Sequence, residues 1–315
     1  MYDYLVLDRL NAPAYKHLTY HWFQDRLNLL STQYLTTMAI GVALQGRPVG
    51  LVLVEYLKDR HQANILSLVV APGHRQRGIG TALLIQIEEK LTASGCQQID
   101  FIYNLNLTTP ILERMLDRQN WTPGAAHSLQ CSTNLETIEQ APFLNRYTFP
   151  QKFTIFPWSE LTDLERSKIE HRENGLNYPD ELCPFRSGRI EAQSSIGVRD
   201  SLSETLRERD EVIGWSIVEQ LSPNCVSYSS LFVKPEYRSI GLGLHLLVAS
   251  INRQIVDRSV TAGLFIVLQE NTAMTKFMTR HLAPYLTAIN TYWKSSKLIQ
   301  LPVSSDRDLA LSRSL

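Results

Sequence analysis

The chain has 315 residues, which exceeds the usual size of one hydrophobic core, so two domains of about 150 residues are expected. Its 31 basic and 31 acidic residues give a formal charge of zero and provide no electrostatic footprint for nucleic acid or an anionic membrane surface. Hydrophobic residues make up 44% of the chain, and no apolar run is long enough to cross a bilayer.

The first residues and the cysteines bear on cellular location. The segment 1–4 has no basic region before an apolar stretch, so we expect no signal peptide. The cysteines, Cys96, Cys131, Cys183 and Cys225, are scattered without Cys-x-x-Cys spacing, which is typical of free thiols in a reducing compartment. A cytoplasmic protein is therefore expected.

The first half predicts alternating strands and helices around one hairpin. In chain order the pattern indicates a strand at 4–7, helical spacing over 12–30, hairpin strands at 39–44 and 49–54, a strand at 65–70, a helix from Gly80 to a stop at Gly95, a strand at 99–103, a helix opened by Pro110 and a strand at 126–132.

The second half repeats this order after a bridge at about 134–150. It predicts a strand at 153–156, a helix from about Glu160, strands at 195–199, 212–218 and 226–233, a helix after Gly243 and a strand at 264–268. Its connection over 200–211 is longer and charged, which is common for a surface loop. The region 287–301 can supply two closing strands, whereas the first half offers only 126–132, and the second domain could cover the missing edge.

One short pattern occurs twice and is the most informative feature of the sequence. The segments 70–80 and 233–243 each contain Pro-x-x-Arg-x-x-Gly-x-Gly, and Arg238 lies 163 residues after Arg75. In both copies an apolar strand precedes the turn and an amphipathic helix with paired leucines follows it. Successive backbone N–H groups in such a turn could cradle a phosphate.

At this level the chain resembles the GNAT superfamily of acyl-CoA-dependent N-acyltransferases, and it does so twice. The resemblance implies an α/β fold of two tandem domains, 1–145 and 146–315, each a mostly antiparallel mixed sheet flanked by helices. It also implies acetyl-CoA as co-substrate, with the CoA pyrophosphate held by main-chain amides and the positive end of the following helix.

The resemblance assigns cofactor-binding positions in both turns. In the first they are Arg75, Gln76, Arg77, Gly78, Ile79, Gly80 and Thr81, and in the second Arg238, Ser239, Ile240, Gly241, Leu242 and Gly243. The glycines have no Cβ to obstruct close approach of a phosphate. Because Arg77 and Thr81 add a cation and a hydroxyl where the second copy has Ile240 and Leu244, we expect the first turn to bind CoA more strongly.

Relatives hold the acyl thioester in a splay between the fourth and fifth strands. Here these stretches are 66–70 beside 99–103, and 230–233 beside 264–268. A backbone N–H at Val69 or Val70 could polarise the thioester carbonyl. Phe232 and Val233 are the corresponding cofactor-binding positions of the second half. Asn106 and Asn271 follow the fifth strands, where relatives often have an asparagine that binds pantetheine or substrate; both are also ordinary helix-entry residues.

The usual catalytic residues of the family are missing. Many relatives have a glutamate base at the positions held here by Asn64 and Ser227, and a tyrosine acid on the helix after the fifth strand, where 109–120 and 272–281 contain none. Glu55 and Glu219, at equivalent strand ends, are candidate bases or simply solvated carboxylates. Tyr103 is a candidate acid or a packing residue.

No metal site is predicted. His17 and His21 have ligand spacing on a helix, but no third ligand accompanies them.

The sequence therefore predicts an N-acetyltransferase in which an amine attacks acetyl-CoA directly. The acceptor, a small molecule or a peptide, is not identified by the sequence, and neither is the oligomeric state. No nucleic-acid or membrane partner is expected. The alternative is an acyl-CoA-binding regulatory or assembly module with one or both domains catalytically silent.

Overall fold

A computed structural model describes residues 1–28, 35–147, 149–185, 189–201 and 211–299. The strands are β1 (Tyr2–Val6), β2 (Leu35–Leu44), β3 (Arg47–Leu57), β4 (Gln62–Val70), β5 (Gln98–Asn104), β6 (Ala125–Asn134), β7 (Phe153–Pro157), β8 (Ile196–Asp200), β9 (Glu211–Ser222), β10 (Cys225–Val233), β11 (Ala262–Leu268) and β12 (Ala288–Leu298). The α-helices are α1 (Ile79–Ala93), α2 (Thr109–Arg118), α3 (Leu135–Ile138), α4 (Asp163–Glu170), α5 (Pro235–Arg238), α6 (Leu242–Asp257) and α7 (Thr272–Phe277).

Contacts divide the chain into two compact units. The first domain comprises 1–127 together with 292–315, and the second comprises 128–291. This differs from the predicted division into 1–145 and 146–315. The reason is that the first domain takes a strand from the far end of the sequence, so its boundary cannot lie at one point between two consecutive halves.

The first domain has a mixed, mostly antiparallel sheet in the order β1-β2-β3-β4-β5-β12. Only β4 and β5 are parallel to each other. β2 and β3 form the predicted hairpin, whose turn residues Gln45 and Gly46 both have positive φ, 52° and 74°, as a tight two-residue hairpin turn requires. The sheet places the turn after β4 at the start of α1.

Each face of this sheet has its own apolar layer. On one face α1 buries Leu83, Leu84, Ile87 and Leu91 against the strands. On the other face two 3₁₀ helices, Ala12–Leu18 and His21–Leu27, pack against β2 and β3. The predicted continuous helical stretch over 12–30 is therefore broken near Thr19, and its last residues lie outside the described part of the chain.

The second domain repeats the arrangement with strand order β6-β11-β10-β9-β8-β7. Here β10 and β11 are the parallel pair. α6 packs on one face, and an aromatic layer that includes Trp158, Tyr178, Trp215 and Phe232 covers the other. Most of the predicted loop over 200–211 lies outside the described residues.

The closing strands differ from the prediction. The segment 126–132, expected to close the first domain, lies in β6 and pairs with β11 of the second domain. β5 instead pairs over seven positions with Tyr292–Leu298 of β12, and the region 287–301 supplies this one strand within its described residues. β12 carries Lys294 and Lys297, which form ion pairs with buried carboxylates of the first domain, whereas β6 contains no lysine.

Candidate functional site

The first repeated turn opens toward solvent at the start of α1. After β4 the chain makes a short 3₁₀ turn, and then Gln76 and Gly78 adopt positive φ of 59° and 77°. A Cβ added at Gly78 would meet nothing within 4 Å. The N–H groups of the first helical turn, which begins at Ile79, have no acceptor within the helix and lie at the positive end of its dipole. The turn is therefore suited to an anion.

Two arginines of this turn have different partners. Arg75 donates from Nε to the Val70 carbonyl at 3.0 Å, so part of its guanidinium fixes the turn against the end of β4. Arg77 is exposed and donates from Nη1 to the Tyr2 hydroxyl at 3.2 Å, and that hydroxyl shares a 3.0 Å hydrogen bond with His74 Nδ1. Arg77 thus keeps a cation at the mouth of the turn.

The second turn is tighter. The helical residues of α5 continue into Ser239, which has φ of −61°, where Gln76 in the first turn has positive φ. The Gly241 N–H donates to the Arg238 carbonyl at 3.1 Å and is not available to a ligand in this conformation. Ile240 is 53% exposed at the position of Arg77.

Other features are common to both turns. Arg238 donates from Nε to the Val233 carbonyl at 2.8 Å, as Arg75 does to Val70. Ile79 and Leu242 are buried, so only their backbones could reach a ligand. An added Cβ at Gly80 or Gly243 would make ordinary contacts of 3.5 and 3.7 Å, whereas Gly78 and Gly241 need their positive φ. Thr81, one position after Gly80, is half-buried in the first turn of α1.

A splay opens between the parallel strands of the first domain. β4 and β5 pair from Gln62 with Gln98 to Ile65 with Phe101, and the pairing then stops. At that point Leu66 is a bulge, because Ser67 and Ile65 oppose consecutive residues of β3. The bulge turns β4 away from β5, so the ends of the two strands diverge below the turn.

The second domain has the same bulge and the same splay at the equivalent position. β10 and β11 pair from Cys225 with Ala262 to Tyr228 with Phe265, and Ser229 is the bulge. Both predicted splays are therefore present in the geometry.

The strand register decides which N–H groups face the splays. Ala71 donates to the Val49 carbonyl, and because N–H directions alternate along a strand, Val69 is directed at β3 and Val70 at the splay. In the same way Lys234 donates to the Ile213 carbonyl, so Val233 rather than Phe232 faces the second splay. Of these four predicted cofactor-binding positions, Val70 and Val233 have an N–H directed at a splay.

Glu55 lies beside the position where relatives have their glutamate base. It pairs across strands with Asn64, and cross-strand neighbours share a face with Cβ atoms about 5 Å apart. Its carboxylate is 14% exposed and lies 2.8 Å from Arg26 Nε, on the face covered by the 3₁₀ helices. A carboxylate thus reaches this region from β3 instead of β4.

Asp100 was not among the predicted site residues. A charged residue between Ile99 and Phe101 on an otherwise apolar strand is the sequence feature that could have indicated it. It is in register with Asn64 on β4 and Ser296 on β12, so Glu55, Asn64, Asp100 and Ser296 form a polar row across four strands. The row crosses the sheet just below the splay.

Asp100 is 3% exposed and fully engaged. Its oxygens accept hydrogen bonds from Gln62, Gln98 and Ser296, and Lys294 Nζ lies 2.7 Å away. Burial alone would raise the pKa of Asp100, but the hydrogen bonds and the charge of Lys294 more than offset it, so the pKa lies below its usual value. Asp100 is therefore a fixed negative charge within the row, held by Gln62, Gln98, Ser296 and Lys294.

Among its described residues, the second domain has no comparable row. Glu219 pairs with Ser227 as Glu55 pairs with Asn64, but the next residue across is Leu264 where the first domain has Asp100. No ion pair of Glu219 occurs among the described residues. The two halves therefore share the cradle geometry but differ in the polar groups beside it.

Tyr103 faces α2 instead of the polar row. Its hydroxyl donates to Glu113 Oε1 at 3.2 Å and packs against Gly124. Burial, together with the charge of Glu113 and this hydrogen bond, raises the pKa of Tyr103 to about 12. A phenol with so high a pKa is a weak proton donor, which favours the packing interpretation.

The two asparagines after the fifth strands have local partners. Asn106 Oδ1 accepts from the Thr108 backbone and hydroxyl, and Asn271 Oδ1 caps α7 by accepting from the Met274 N–H. No cluster of three or more His, Cys, Asp or Glu side chains suited to a metal ion occurs in the described ranges.

Comparisons with known proteins agree with this geometry. Residues 5–108 match the family model described as "Acetyltransferase (GNAT) family". No curated protein matches the sequence. Among solved structures, a tandem GNAT protein from the clavulanic acid biosynthesis pathway superposes with a TM-score of 0.70 at 15% identity, over 94% of this chain and 98% of that one.

Two further structures have the same fold. A GCN5-related N-acetyltransferase from Sphaerobacter thermophilus gives a TM-score of 0.65 at 16% identity, over 95% of this chain and 96% of that one. A glucosamine N-acetyltransferase region of a fungal multi-domain β-N-acetylglucosaminidase gives 0.63 at 14% identity, over 94% of this chain and 38% of that one. At these identities the likeness concerns the fold.

Proposed function

We propose that this chain, whose residues 5–108 match the GNAT acetyltransferase family model and whose fold is that of the tandem GNAT proteins, transfers an acetyl group from acetyl-CoA to an amine in its first domain. The observation that carries the proposal is the conjunction of an open anion-binding turn, a splay directly below it and the Val70 N–H directed into that splay.

The residues of the first turn fit the pyrophosphate of CoA. Gly78 leaves open space where a side chain would otherwise stand, the N-terminus of α1 provides backbone donors, and Arg77 adds a positive charge. The bound cofactor supplies an acetyl group activated as a thioester. Gln76 and Thr81 flank the cradle, and the Val70 N–H is available to stabilise negative charge on a carbonyl oxygen in the splay.

We assign Glu55 the role of general base. It stands one strand away from the family's usual glutamate position, in register with Asn64, and would take a proton from the amine. Arg26 holds its carboxylate by an ion pair, and Asp100 places a negative charge two strands away in the same row. Tyr103 is given no catalytic role because its hydroxyl is committed to Glu113.

The second domain has fewer of the features that acetyl transfer requires. Its closed turn and the leucine opposite Ser227 favour the alternative that this half binds a ligand without catalysing transfer. The cofactor positions predicted there, 238–243 and Asn271, remain predictions.

The cytoplasmic location also remains a prediction. All the cysteines are free thiols. In the described part of the chain, no helix combines the length and apolar character needed to cross a membrane.

The experiment is calorimetric titration with acetyl-CoA, followed by thiol release over a panel of small and peptide amines. Gly78→Glu places a carboxylate and a strained backbone at the cradle and is expected to weaken acetyl-CoA binding at least about tenfold. Gly241→Glu is the matched control and should leave that binding unchanged. Binding without thiol release on any amine would favour the silent module, and loss of binding only in Gly241→Glu would contradict the assignment to the first domain.

A further inference from the structure

The first domain has an aromatic rim, formed by Tyr20, Ile102 and Tyr292, on the face of its sheet that contains the polar row. Ile102 follows Asp100 by two residues on β5, so it lies on the same face, and it is 41% exposed. Tyr292 of β12 pairs with Asn104 and is therefore a diagonal neighbour of Ile102 on this face. Because the pairing of β5 with β4 has stopped before Ile102, this side chain stands at the edge of the open splay.

Tyr20 approaches the rim from the 3₁₀ helices. It is 51% exposed, and its ring lies edge-to-face with Phe23 at 6.2 Å between centroids. The preceding residue, Thr19, is fixed to β4 by a 2.6 Å hydrogen bond between its hydroxyl and that of Ser67. Burial, and then the charge of the neighbouring Tyr20, raise the pKa of Tyr292. The two tyrosines are therefore close to each other beside the splay.

The tyrosine of β12 has no equivalent among the described residues of the second domain. By the strand registers, Leu268 of β11 corresponds to Asn104 of β5, and it pairs with Ser128 of β6. Ser128 is 4% exposed, so a small buried side chain stands where the first domain has Tyr292. The complete rim thus belongs to the domain to which we assign acetyl transfer.

The charges of the polar row below the rim are paired with one another. Glu55 lies 2.8 Å from Arg26, and Asp100 lies 2.7 Å from Lys294. These ion pairs leave no excess negative charge in the row to attract a second ammonium group and no excess positive charge to attract a carboxylate. An acceptor with one amine and an otherwise uncharged body fits these surroundings.

We infer that the acceptor is an arylalkylamine, a primary amine on a short chain that ends in an aromatic ring, and that this ring packs on Tyr20, Ile102 and Tyr292. The inference rests on the proposed acetyl transfer and names its substrate class. Aromatic pairs are stabilised beyond the area that they bury, which favours a ring over an aliphatic group at this rim. Ile102 stands two residues above the row, about 7 Å along the strand, and a ring, two methylenes and one hydrogen bond span that distance.

The transfer itself is then simple to write. The ammonium group loses one proton to Glu55, and the amine nitrogen bonds to the acetyl carbon as the C–S bond breaks. The second proton of the nitrogen leaves with the CoA thiolate, which becomes the free thiol. The ring takes no part in these steps and only positions the nitrogen.

The inference is tested by thiol release from acetyl-CoA with the full-length chain and four matched amines. Phenethylamine should have the highest kcat/KM, and cyclohexylethylamine, which has the same size without an aromatic face, should be about fivefold lower. Phenylalanine adds a carboxylate, and diaminobutane replaces the ring by a second charge; each should be at least about tenfold lower. Equal or faster transfer to any of these three overturns the inference and leaves acetyl transfer standing.

A failure of the proposed function gives a different result. In that case none of the amines releases thiol, and calorimetric titration decides the inference separately. Phenethylamine should then still bind at least about tenfold more tightly than diaminobutane, and equal affinity would overturn the inference.

Two variants locate the ring site. Tyr20→Leu and Tyr292→Leu should each raise KM for phenethylamine about three- to tenfold, with kcat and KM for acetyl-CoA unchanged. Both should also remove the preference for phenethylamine over cyclohexylethylamine, which a merely structural loss would not change. Tyr292→Phe is the matched control, because it keeps the ring and should behave as the wild type does. The inference is overturned if Tyr292→Leu, folded by its thermal transition, keeps the wild-type preference.

Discussion

The strand at the far end of the sequence should decide whether the first domain folds. A chain ended after Thr291 loses the seven residues of β12 that pair with β5, and with them about seven backbone hydrogen bonds worth roughly 1 kcal/mol each. Asp100 loses Lys294 and Ser296 and becomes an uncompensated buried charge, at about 3–5 kcal/mol. Glu88 loses Lys297, at about 1.5–3 kcal/mol.

Together these losses are about 12–15 kcal/mol, comparable with the whole stability of a domain of this size, about 5–15 kcal/mol. We therefore expect the first domain to unfold while the second keeps its own transition. Hydrogen exchange measured by mass spectrometry should show β5 unprotected in this chain but protected in a matched chain ended after Ile299. Equal protection of β5 in both chains would refute the reasoning.

The remaining predictions concern the polar row and its neighbours. Glu55→Gln should lower turnover by about 10²- to 10⁴-fold with acetyl-CoA binding unchanged, while Glu219→Gln should leave turnover unaltered; equal effects would remove Glu55 as the base. Tyr103→Phe should reduce turnover less than about tenfold, and a larger loss would reinstate it as the acid. Because the pKa of Asp100 is lowered in the folded protein, its contribution to stability is full above the unfolded value near 3.9 and is lost as the pH falls through the folded value. Urea unfolding should therefore show a wild-type advantage over Asp100→Asn at pH 7 that shrinks below about pH 4, and a gap independent of pH would contradict this.

Much of the local structure was predictable from the sequence. The hairpin at Gln45 and Gly46, the helix stop at Gly95 and the two turns before α1 and α6 are determined by short-range chemistry, namely glycine at positive φ and apolar periodicity. These features need only neighbouring residues to be recognised. The two splays were expected only from the resemblance to the GNAT superfamily.

Partner choice between strands was not predictable in the same way. The sequences of β6 and β12 are both typical of closing strands. They differ because Lys294 and Lys297 of β12 form ion pairs with carboxylates of the first domain that are distant in sequence. The direction of the Val70 N–H depends on the register with β3, and the role of Asp100 depends on four strands meeting in one row. Such facts follow from long-range pairing and not from local pattern.

The discontinuous first domain has a consequence during synthesis on the ribosome. Asn104 pairs with Tyr292, which is synthesised about 190 residues later. At a translation rate of 5–20 residues per second, the edge of β5 therefore has no neighbouring strand for roughly 10–40 seconds. Residues 128–291 are contiguous and emerge complete within that interval. The second domain can therefore fold on the nascent chain first, and the unpaired edge of β5 is the segment that a chaperone would have to protect until translation nears its end.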